Sequence, residues 1–404
     1  MYRHPSGDVP LGGRSGVAAA TSAQAGQSLC SEQLDRFTIG GPRKPLGGKS
    51  PVWEALCDHE NVDLGDLLRR QGEARRRIES LAPQANDNVV RQHVVSRVIL
   101  KRFAAEAPHR RVGNIAIMNL EYPDAKPVYR GPRGCGYVDN FVRYASRSLE
   151  QLWNLTESAL GDALAACSDG SIFSNDRHVK TLKDAIALHF VRSVHTRPFL
   201  DQLWQGYLPQ FREDFISAYG HRLAAAFARQ YHGLLPAGRE GLGAVFDRML
   251  LPTLALREAD AFFRDSLERL FRLASRHLDG LGVEVCRSLR CEFIIGDAPA
   301  LAIGNEGRIG LMQGVGFETA MTIALPVGPR LLISTGPSNA FHDFDKEQVD
   351  LLNQYQVTSA KRHVYCRPGS EEVALRSVSP ISGTRWPQER TVRPPRGPVR
   401  RRMG

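Results

Sequence analysis

The spacing of apolar residues along this chain changes near Gly282. Before this glycine the pattern is mainly that of helices, in which apolar residues recur every three or four positions. After it, short β-rich runs such as TAMTIALPV and RLLIST are separated by glycine and proline, as is typical of strands. A chain with both patterns is expected to pack helices against a sheet.

Most of the first part is predicted to be helical. The predicted helices cover residues 60–82, 90–105, 147–167, 178–197, 199–218, 220–233 and 254–279. NIAIMNL, at 114–120, alternates like a strand, and a last helix over about 345–360 opens with Asp345 and Gln348 in capping-box spacing. We therefore expect an α+β fold, a predominantly helical array packed on a small, mainly antiparallel sheet. That sheet would combine the 114–120 strand with the C-terminal strands.

The positive charge of the chain is concentrated in its terminal segments. The formal net charge is +10, but residues 52–384 hold 40 basic and 39 acidic residues. Residues 1–50 are rich in Gly, Ser, Ala and Pro, and residues 385–404 are rich in Arg and Pro, so we predict two disordered tails around a single α+β domain at 51–384. The near-neutral body argues against a large, fixed phosphate-binding face but leaves a local basic patch open. The Arg-rich tail can bind nucleic acid or an acidic surface by charge, or be solvated without a dedicated partner.

Hydropathy and cysteine usage indicate a cytoplasmic protein. The sequence has no run of eighteen apolar residues and no apolar segment after a basic start, so neither a membrane span nor a secretory signal is predicted. Its seven cysteines are scattered without a C-x-x-C pair, as in proteins with reduced thiols. No spacing typical of a metal or cofactor site occurs, so the cofactor stays unknown.

The stretch RQHVVSRVILKRFA, residues 91–104, contains the first candidate site. Read as a helix, it places His93, Arg97 and Lys101 in one row on an otherwise apolar surface. Three such groups repel one another unless they face a carboxylate, a phosphate or water. Two interpretations remain open: a functional row, or a solvated face whose Lys and Arg stems cover apolar surface.

Further polar residues stand in apolar surroundings later in the chain. His189 is predicted on the core side of its helix, and Arg192, one turn on, can share a partner with it. Glu157 is a lone acid in LWNLTESAL, and Asp297 follows the strand FIIG. A histidine on an apolar face is more often a satisfied core residue, and Asp before x-Pro is also a common turn former.

In their order along the chain, these features resemble a bacterial family named domain of unknown function four-two-three-eight. The family opens with H-x-x-P-x-x-x-L-x-x-F, here His93, Leu100 and Phe103, with Ser96 in place of the proline. It continues with a Glu-bearing helix and an Arg-bearing helix. Near its end stands S-D-x-P, which here begins with Gly296, and then an Asn-bearing helix.

The ordered matches cover about residues 91–366. The resemblance implies that the functional residues are His93, Glu157, Arg192, Asp297 and Asn353. The family brings no assigned activity, and the Ser96 and Gly296 departures leave open whether this chain keeps the family's function.

Two functions of different kinds are consistent with these residues. The first is a hydrolase, most plausibly of phosphodiesters, with His93, Glu157, Arg192 and Asp297 as catalytic residues. Binding residues would then be Arg97, His189 and Asn353. The alternative is a non-catalytic binding or scaffold protein, in which these side chains form a buried structural ion network.

Overall fold

The computed structural model describes residues 72–372, apart from positions 74, 85, 108–109, 231, 234–235 and 237. The predicted tails, 1–50 and 385–404, and most of the predicted helix 60–82 therefore lie outside the described residues. The described part is an α+β fold in which helices pack on small, mainly antiparallel sheets, as the sequence predicts. No helix in this part is long and apolar enough to cross a membrane.

The helices account for most of the described chain between the N-terminal strands and Gly282. They are α1 (Arg97–Phe103), α2 (Ser146–Asp169), α3 (Asp176–Val191), α4 (Thr196–Gln230), α5 (Gly238–Glu258), α6 (Ala261–Asp279) and, near the C-terminus, α7 (Lys346–Ser359). The main core is formed by α2, α3 and α6, which bury residues such as Trp153, Leu164 and Leu267. A second core lies between α4 and α5, where Phe215 packs against Phe246.

Several predicted helix boundaries are wrong. α3 ends at Val191, so the predicted helix 178–197 is too long, and α5 was not predicted before residue 254. The predicted helices 199–218 and 220–233 are joined in one helix, α4, which includes Pro209 and ends at Gln230. The predicted helix 254–279 is interrupted at Asp260, whose backbone is left-handed with φ of 68°. The buried Asp260 carboxylate holds this break in place, because it binds the Arg197 guanidinium at 2.5 Å and the Arg143 backbone N–H at 2.7 Å.

The predicted helix at 90–105 is also wrong, since its first part is a strand. β1 (Arg91–His93) pairs antiparallel with β5 (Tyr137–Asp139). α1 starts only after Ser96, whose side chain accepts a hydrogen bond from the Val98 N–H at 3.2 Å as an N-cap. His93 therefore does not share a helical row with Arg97 and Lys101, and Lys101 is exposed.

The strands form two larger sheets instead of the single predicted one. The first has the order β2-β3-β12-β7, with β4 paired to β3; its strands are β2 (Ala105–Ala107), β3 (Arg110–Asn119), β4 (Val128–Arg130), β7 (Ile295–Gly296) and β12 (His363–Cys366). The second has the order β11-β6-β10-β9-β8; its strands are β6 (Gly282–Ser288), β8 (Leu301–Ile303), β9 (Thr322–Gly328), β10 (Leu331–Gly336) and β11 (Ala340–Phe344). β11 is parallel to β6, and every other recorded pairing is antiparallel.

The predicted C-terminal helix is present with its capping box. Asp345 accepts a hydrogen bond from the Gln348 N–H at 2.9 Å, and the Gln348 side chain accepts one from the Asp345 N–H at 3.0 Å. This local arrangement needs only residues three positions apart, which is why the sequence alone predicts where α7 begins.

Candidate functional site

Five ionisable side chains meet where β1, α1, α2 and α3 come together. This polar cluster consists of His93, Arg97, Glu150, Glu157 and Arg192. Charge interactions link Arg192 to His93, Glu150 and Glu157, and link Arg97 to His93. All except Arg192 are partly exposed, so the cluster has a buried inner end at Arg192 and an outer side that is open to solvent.

The buried inner end of the cluster is an ion pair between α3 and α2. Arg192, at the C-cap of α3, is 1% exposed and donates from Nη2 to Glu157 Oε1 at 2.5 Å. Its guanidinium carbon lies 5.1 Å from the centroid of the Trp153 ring. Burial alone raises the pKa of Glu157, but the charge and hydrogen bond of Arg192 outweigh it and leave that pKa below its ordinary value. Glu157 is therefore an anion that fixes Arg192 in place.

A buried histidine connects α3 to the start of α1. His189 Nδ1 lies 2.7 Å from the carbonyl oxygen of Ala185, and His189 Nε2 accepts a hydrogen bond from the Ser96 N–H at 3.1 Å. Because a carbonyl only accepts, the Nδ1 nitrogen carries the proton and the ring is neutral. Burial, helped by the Arg192 charge, lowers the pKa of His189 to about 4. This contact positions Ser96 and hence the neighbouring Arg97.

The glycine loop before β5 positions His93. The Gly136 carbonyl accepts hydrogen bonds from the N–H groups of Val94 and Val95, at 2.8 and 3.1 Å. Gly136 has φ of 64°, and an added Cβ would lie 2.8 Å from a methyl carbon of Leu100. The loop GPRGCGY thus acts as a turn that holds the end of β1, where glycine is required at position 136.

His93 and Glu150 are the two groups of the cluster with strongly shifted proton affinity. Burial lowers the pKa of His93 to about 4, with further lowering from Arg192 and Arg97. Burial raises the pKa of Glu150 to about 7, against the opposing charge of Arg192. At neutral pH His93 is therefore an unprotonated acceptor, and Glu150 retains its proton in a large fraction of molecules.

Several buried polar atoms in the cluster, and on the Trp153 ring beside it, have no hydrogen-bond partner among the described residues. They are His93 Nε2, Arg97 Nε, Glu150 Oε1, Trp153 Nε1 and Arg192 Nε. Buried polar atoms are nearly always hydrogen-bonded, so this concentration marks a place where a ligand can be bound. Three of the atoms belong to N–H donors. With two arginines and one ionised Glu157, the arrangement suits an oxyanion.

The family model described as "Protein of unknown function (DUF4238)" matches residues 91–370 of this chain. The chain belongs to the DUF4238 family. The matched range includes the whole polar cluster together with Asp297 and Asn353. No curated protein and no solved structure is significantly similar to it.

Asp297 and Asn353 of this DUF4238 protein are engaged elsewhere, at the junction of α7 with β7 and β12. The Asp297 carboxylate accepts the backbone N–H groups of Lys361, Arg362 and His363, at 2.7, 2.9 and 3.0 Å. The Asn353 amide accepts the Ile294 N–H at 3.0 Å and donates to the Glu292 carbonyl at 3.0 Å. These bonds tie the turn and the helix to the sheet.

The structure thus brings together five of the seven predicted site residues. These are His93, Arg97, Glu157, His189 and Arg192. Glu150 and Trp153 belong to the same region and were not predicted from the sequence. A signal for them existed, because positions 150, 153 and 157 are spaced to lie on one face of α2.

Within the described residues, no three or more His, Cys, Asp or Glu side chains are grouped so that they could hold a metal ion. The donors that converge at the polar cluster are mostly nitrogen atoms of arginine, histidine and tryptophan. Arginine and tryptophan nitrogens bind anions, not metal cations, so this donor set favours an anionic ligand.

Proposed function

We propose that this DUF4238 protein is a hydrolase of phosphodiesters, with the polar cluster as its active site. The observation that supports it is that the N–H donors of Arg97, Trp153 and Arg192 have no hydrogen-bond partner within the described part of the chain. They lie beside His93 and Glu150, a base and an acid with shifted pKa values. A phosphodiester carries one negative charge. The two arginines and the ionised Glu157 sum to one positive charge, which matches it.

In the proposed reaction, Arg97 and Arg192 bind the non-bridging phosphate oxygens and stabilise the charge that develops on them. A water molecule attacks the phosphorus atom, and His93 Nε2 accepts its proton. The bond from phosphorus to the leaving oxygen breaks as Glu150 donates its proton to that oxygen. The products are a phosphomonoester and an alcohol. Glu157 keeps Arg192 in place, and His189 keeps the start of α1 in place.

Substrate binding would improve His93 as a base. In the free protein Arg192 and Arg97 help to lower the pKa of His93. A bound anion between these arginines offsets their charge, so the pKa of His93 is expected to rise toward its ordinary value. A stronger base is then present only when substrate is bound.

The test is hydrolysis of bis(p-nitrophenyl) phosphate by the full chain. Wild-type protein should release p-nitrophenol, and His93→Asn should reduce kcat by about 10²–10⁴-fold, as expected for loss of a general base. Glu150→Gln should reduce kcat less, because the p-nitrophenolate leaving group needs little protonation. Lys101→Gln is the matched control, because Lys101 is an exposed cation on α1 outside the cluster. Circular dichroism must show that all four proteins are folded. Equal rates for wild type and His93→Asn would contradict the proposal.

The alternative, a non-catalytic binding or scaffold protein, is favoured by one observation. Arg192 and Glu157 form a buried pair of the kind that fixes helix docking. If the protein is a scaffold, no ligand binds at this pair. A folded Arg192→Leu/Glu157→Leu variant would then bind phosphate no differently from wild type. In the proposed hydrolase the same variant loses phosphate binding.

Two further parts of the proposal concern the cell. We also infer a cytoplasmic location in a bacterium; the location is supported by Cys135, Cys167 and Cys366, which among the described residues are buried and form no disulfide. The Arg-rich segment 385–404 lies outside the described residues, and we retain it as a site for nucleic acid or an acidic surface. Deleting it should remove a salt-sensitive affinity for such a partner, and an unchanged affinity would contradict this role.

A further inference from the structure

The two-stranded ribbon of β1 and β5 presents one face beside the polar cluster. Its register pairs Arg91 with Asp139 and His93 with Tyr137. Side chains alternate along strands, so these four residues share one side, which we call the ribbon face. The opposite side holds Gln92, which is fully buried and accepts a hydrogen bond from the Val142 N–H at 2.6 Å. The ribbon face is therefore fixed in its orientation.

The ring of Tyr137 lies next to His93, the proposed general base. The rings of Tyr137 and His93 are in edge contact, with centroids 6.2 Å apart and planes at 67°. The Arg91 guanidinium carbon lies 4.9 Å from the Tyr137 ring centroid, over the ring. A phosphate at His93 thus has an aromatic ring immediately beside it, within reach of the group esterified to that phosphate.

The contact that covers the Tyr137 ring is weakly held. The Arg91 side chain is 67% exposed, and its closest approach to Asp139, itself 61% exposed, is 4.0 Å. An exposed ion pair at this distance contributes almost nothing to stability. A planar ligand can therefore displace the guanidinium from the ring, or insert beside it, at little cost. Flat aromatic ligands stack well on tyrosine, and arginine stacks on them in turn.

We propose that Tyr137, with Arg91, is a base-stacking subsite, so that the phosphodiester hydrolysed at the polar cluster is a nucleotide. This inference rests on the proposed function, because it places the nucleotide's phosphate among Arg97, Arg192 and His93. The base lies against the Tyr137 ring, and the sugar spans the contact between Tyr137 and His93. Asp139, at the end of the ribbon face, is available to accept an N–H of the base.

The test compares three ligands by isothermal titration calorimetry with the full chain: inorganic phosphate, ribose 5-phosphate and adenosine 5'-monophosphate. Adenosine 5'-monophosphate should bind about tenfold more tightly than ribose 5-phosphate, since base–aromatic stacking typically has an effect of this order. Tyr137→Leu should remove this difference, whereas Tyr137→Phe should keep it. Tyr122→Leu, at an exposed tyrosine in the turn after β3, is the matched control and should bind all three ligands like wild type.

The outcomes separate this inference from the proposed function. If phosphate and ribose 5-phosphate bind but adenosine 5'-monophosphate binds no more tightly, the stacking subsite is wrong and the oxyanion site stands. A preference for adenosine 5'-monophosphate over ribose 5-phosphate that persists in Tyr137→Leu also contradicts the stacking subsite. If none of the three ligands binds, both proposals fail. Should Tyr137→Leu not fold, as judged by circular dichroism, Arg91→Ala provides the comparison: it should reduce the preference for adenosine 5'-monophosphate, which Tyr137→Phe keeps, without changing phosphate affinity.

Discussion

His189 accepts a hydrogen bond from the backbone N–H of Ser96 through a neutral ring, with 3.1 Å between Nε2 and the Ser96 nitrogen. The two residues are 93 positions apart in the chain. Because Nδ1 donates to the Ala185 carbonyl, protonation of Nε2 would break the contact with Ser96. The start of α1, and with it Arg97, therefore depends on an uncharged histidine in the core.

The stability of the protein should fall as pH decreases below neutrality. Burial lowers the pKa of His189 from 6.5 to about 4, so between these values the unfolded chain binds more protons than the folded one. The stabilisation is complete above pH 6.5 and is lost as pH falls toward 4. For His189 alone, we expect the free energy of unfolding to be about 2 kcal/mol lower at pH 5 than at pH 7. Because His93 and Glu150 also titrate in this range, the His189 contribution is the difference between wild type and a His189 variant in urea unfolding at the two pH values.

Two histidine variants, one at His189 and one at an exposed control position, test whether His189 is the cause. His189→Gln should be less stable at pH 7 but show a pH difference smaller by about 2 kcal/mol. His221 is exposed on α4, and His221→Gln should keep the wild-type pH difference. If His189→Gln and wild type lose the same free energy between pH 7 and pH 5, the neutral buried ring is not the cause.

Removing one charge of the Arg192–Glu157 pair should destabilise the protein more than removing both. Arg192→Leu should lower the free energy of unfolding by about 3–5 kcal/mol, because Glu157 is left as an unpaired, mostly buried carboxylate. The double variant Arg192→Leu/Glu157→Leu should recover most of that loss. Arg75 and Glu79 form an exposed ion pair at 2.7 Å, and removing either should cost less than about 1 kcal/mol.

The folded double variant also distinguishes the two functional hypotheses. It should not bind inorganic phosphate, because the buried guanidinium is gone, although its core is intact. Wild-type phosphate affinity in this variant would favour the scaffold alternative and place the anion site elsewhere.

Activity toward a phosphodiester should follow a bell-shaped pH profile. Catalysis needs His93 unprotonated, so kcat/KM should rise as pH increases through about 4, where this histidine loses its proton. It needs Glu150 protonated, so kcat/KM should fall as pH increases through about 7. Glu150→Gln should be slower throughout and should lack the alkaline decrease. An alkaline decrease that persists unchanged in Glu150→Gln would exclude this residue as the acid.

Asp297 is expected to act on stability and not on chemistry. Its carboxylate accepts three backbone N–H groups at the start of β12, so Asp297→Asn should lower the free energy of unfolding by about 2–3 kcal/mol, the usual range for losing hydrogen bonds to a charged group. At pH 7 and low temperature the remaining folded protein should have wild-type kcat. A folded Asp297→Asn protein with kcat reduced a hundredfold would contradict this and indicate that Asp297 is catalytic, as the family resemblance implies.

Local patterns in the sequence predict the parts of the fold that depend on neighbouring residues. The capping box of Asp345 and Gln348 needs four consecutive positions, and the start of α7 is predicted correctly. The alternation in NIAIMNL likewise predicts β3. Helical spacing predicts α2, although it misplaces its ends by one or two residues.

Elements that depend on distant partners could not be predicted in the same way. β1 is a strand because β5, more than forty residues later, pairs with it, and because the Gly136 carbonyl binds Val94 and Val95. The break at Asp260 depends on Arg197, on another helix. Glu150 looks like an ordinary acid in the sequence, and only its burial beside Arg192 and Glu157 raises its pKa. The site residues were recognised where they stand alone in apolar segments, as Glu157 and Arg192 do.

The most direct test of the oxyanion site is a pH titration of the His93 ring by NMR, with ¹³C-labelled histidine and assignment by His93→Asn. Without ligand, the pKa of His93 should be about 4, because burial and two arginines oppose protonation. With saturating inorganic phosphate it should rise by about one unit or more, since the bound anion offsets the charges of Arg97 and Arg192. A His93 resonance whose titration is the same with and without phosphate would contradict the account.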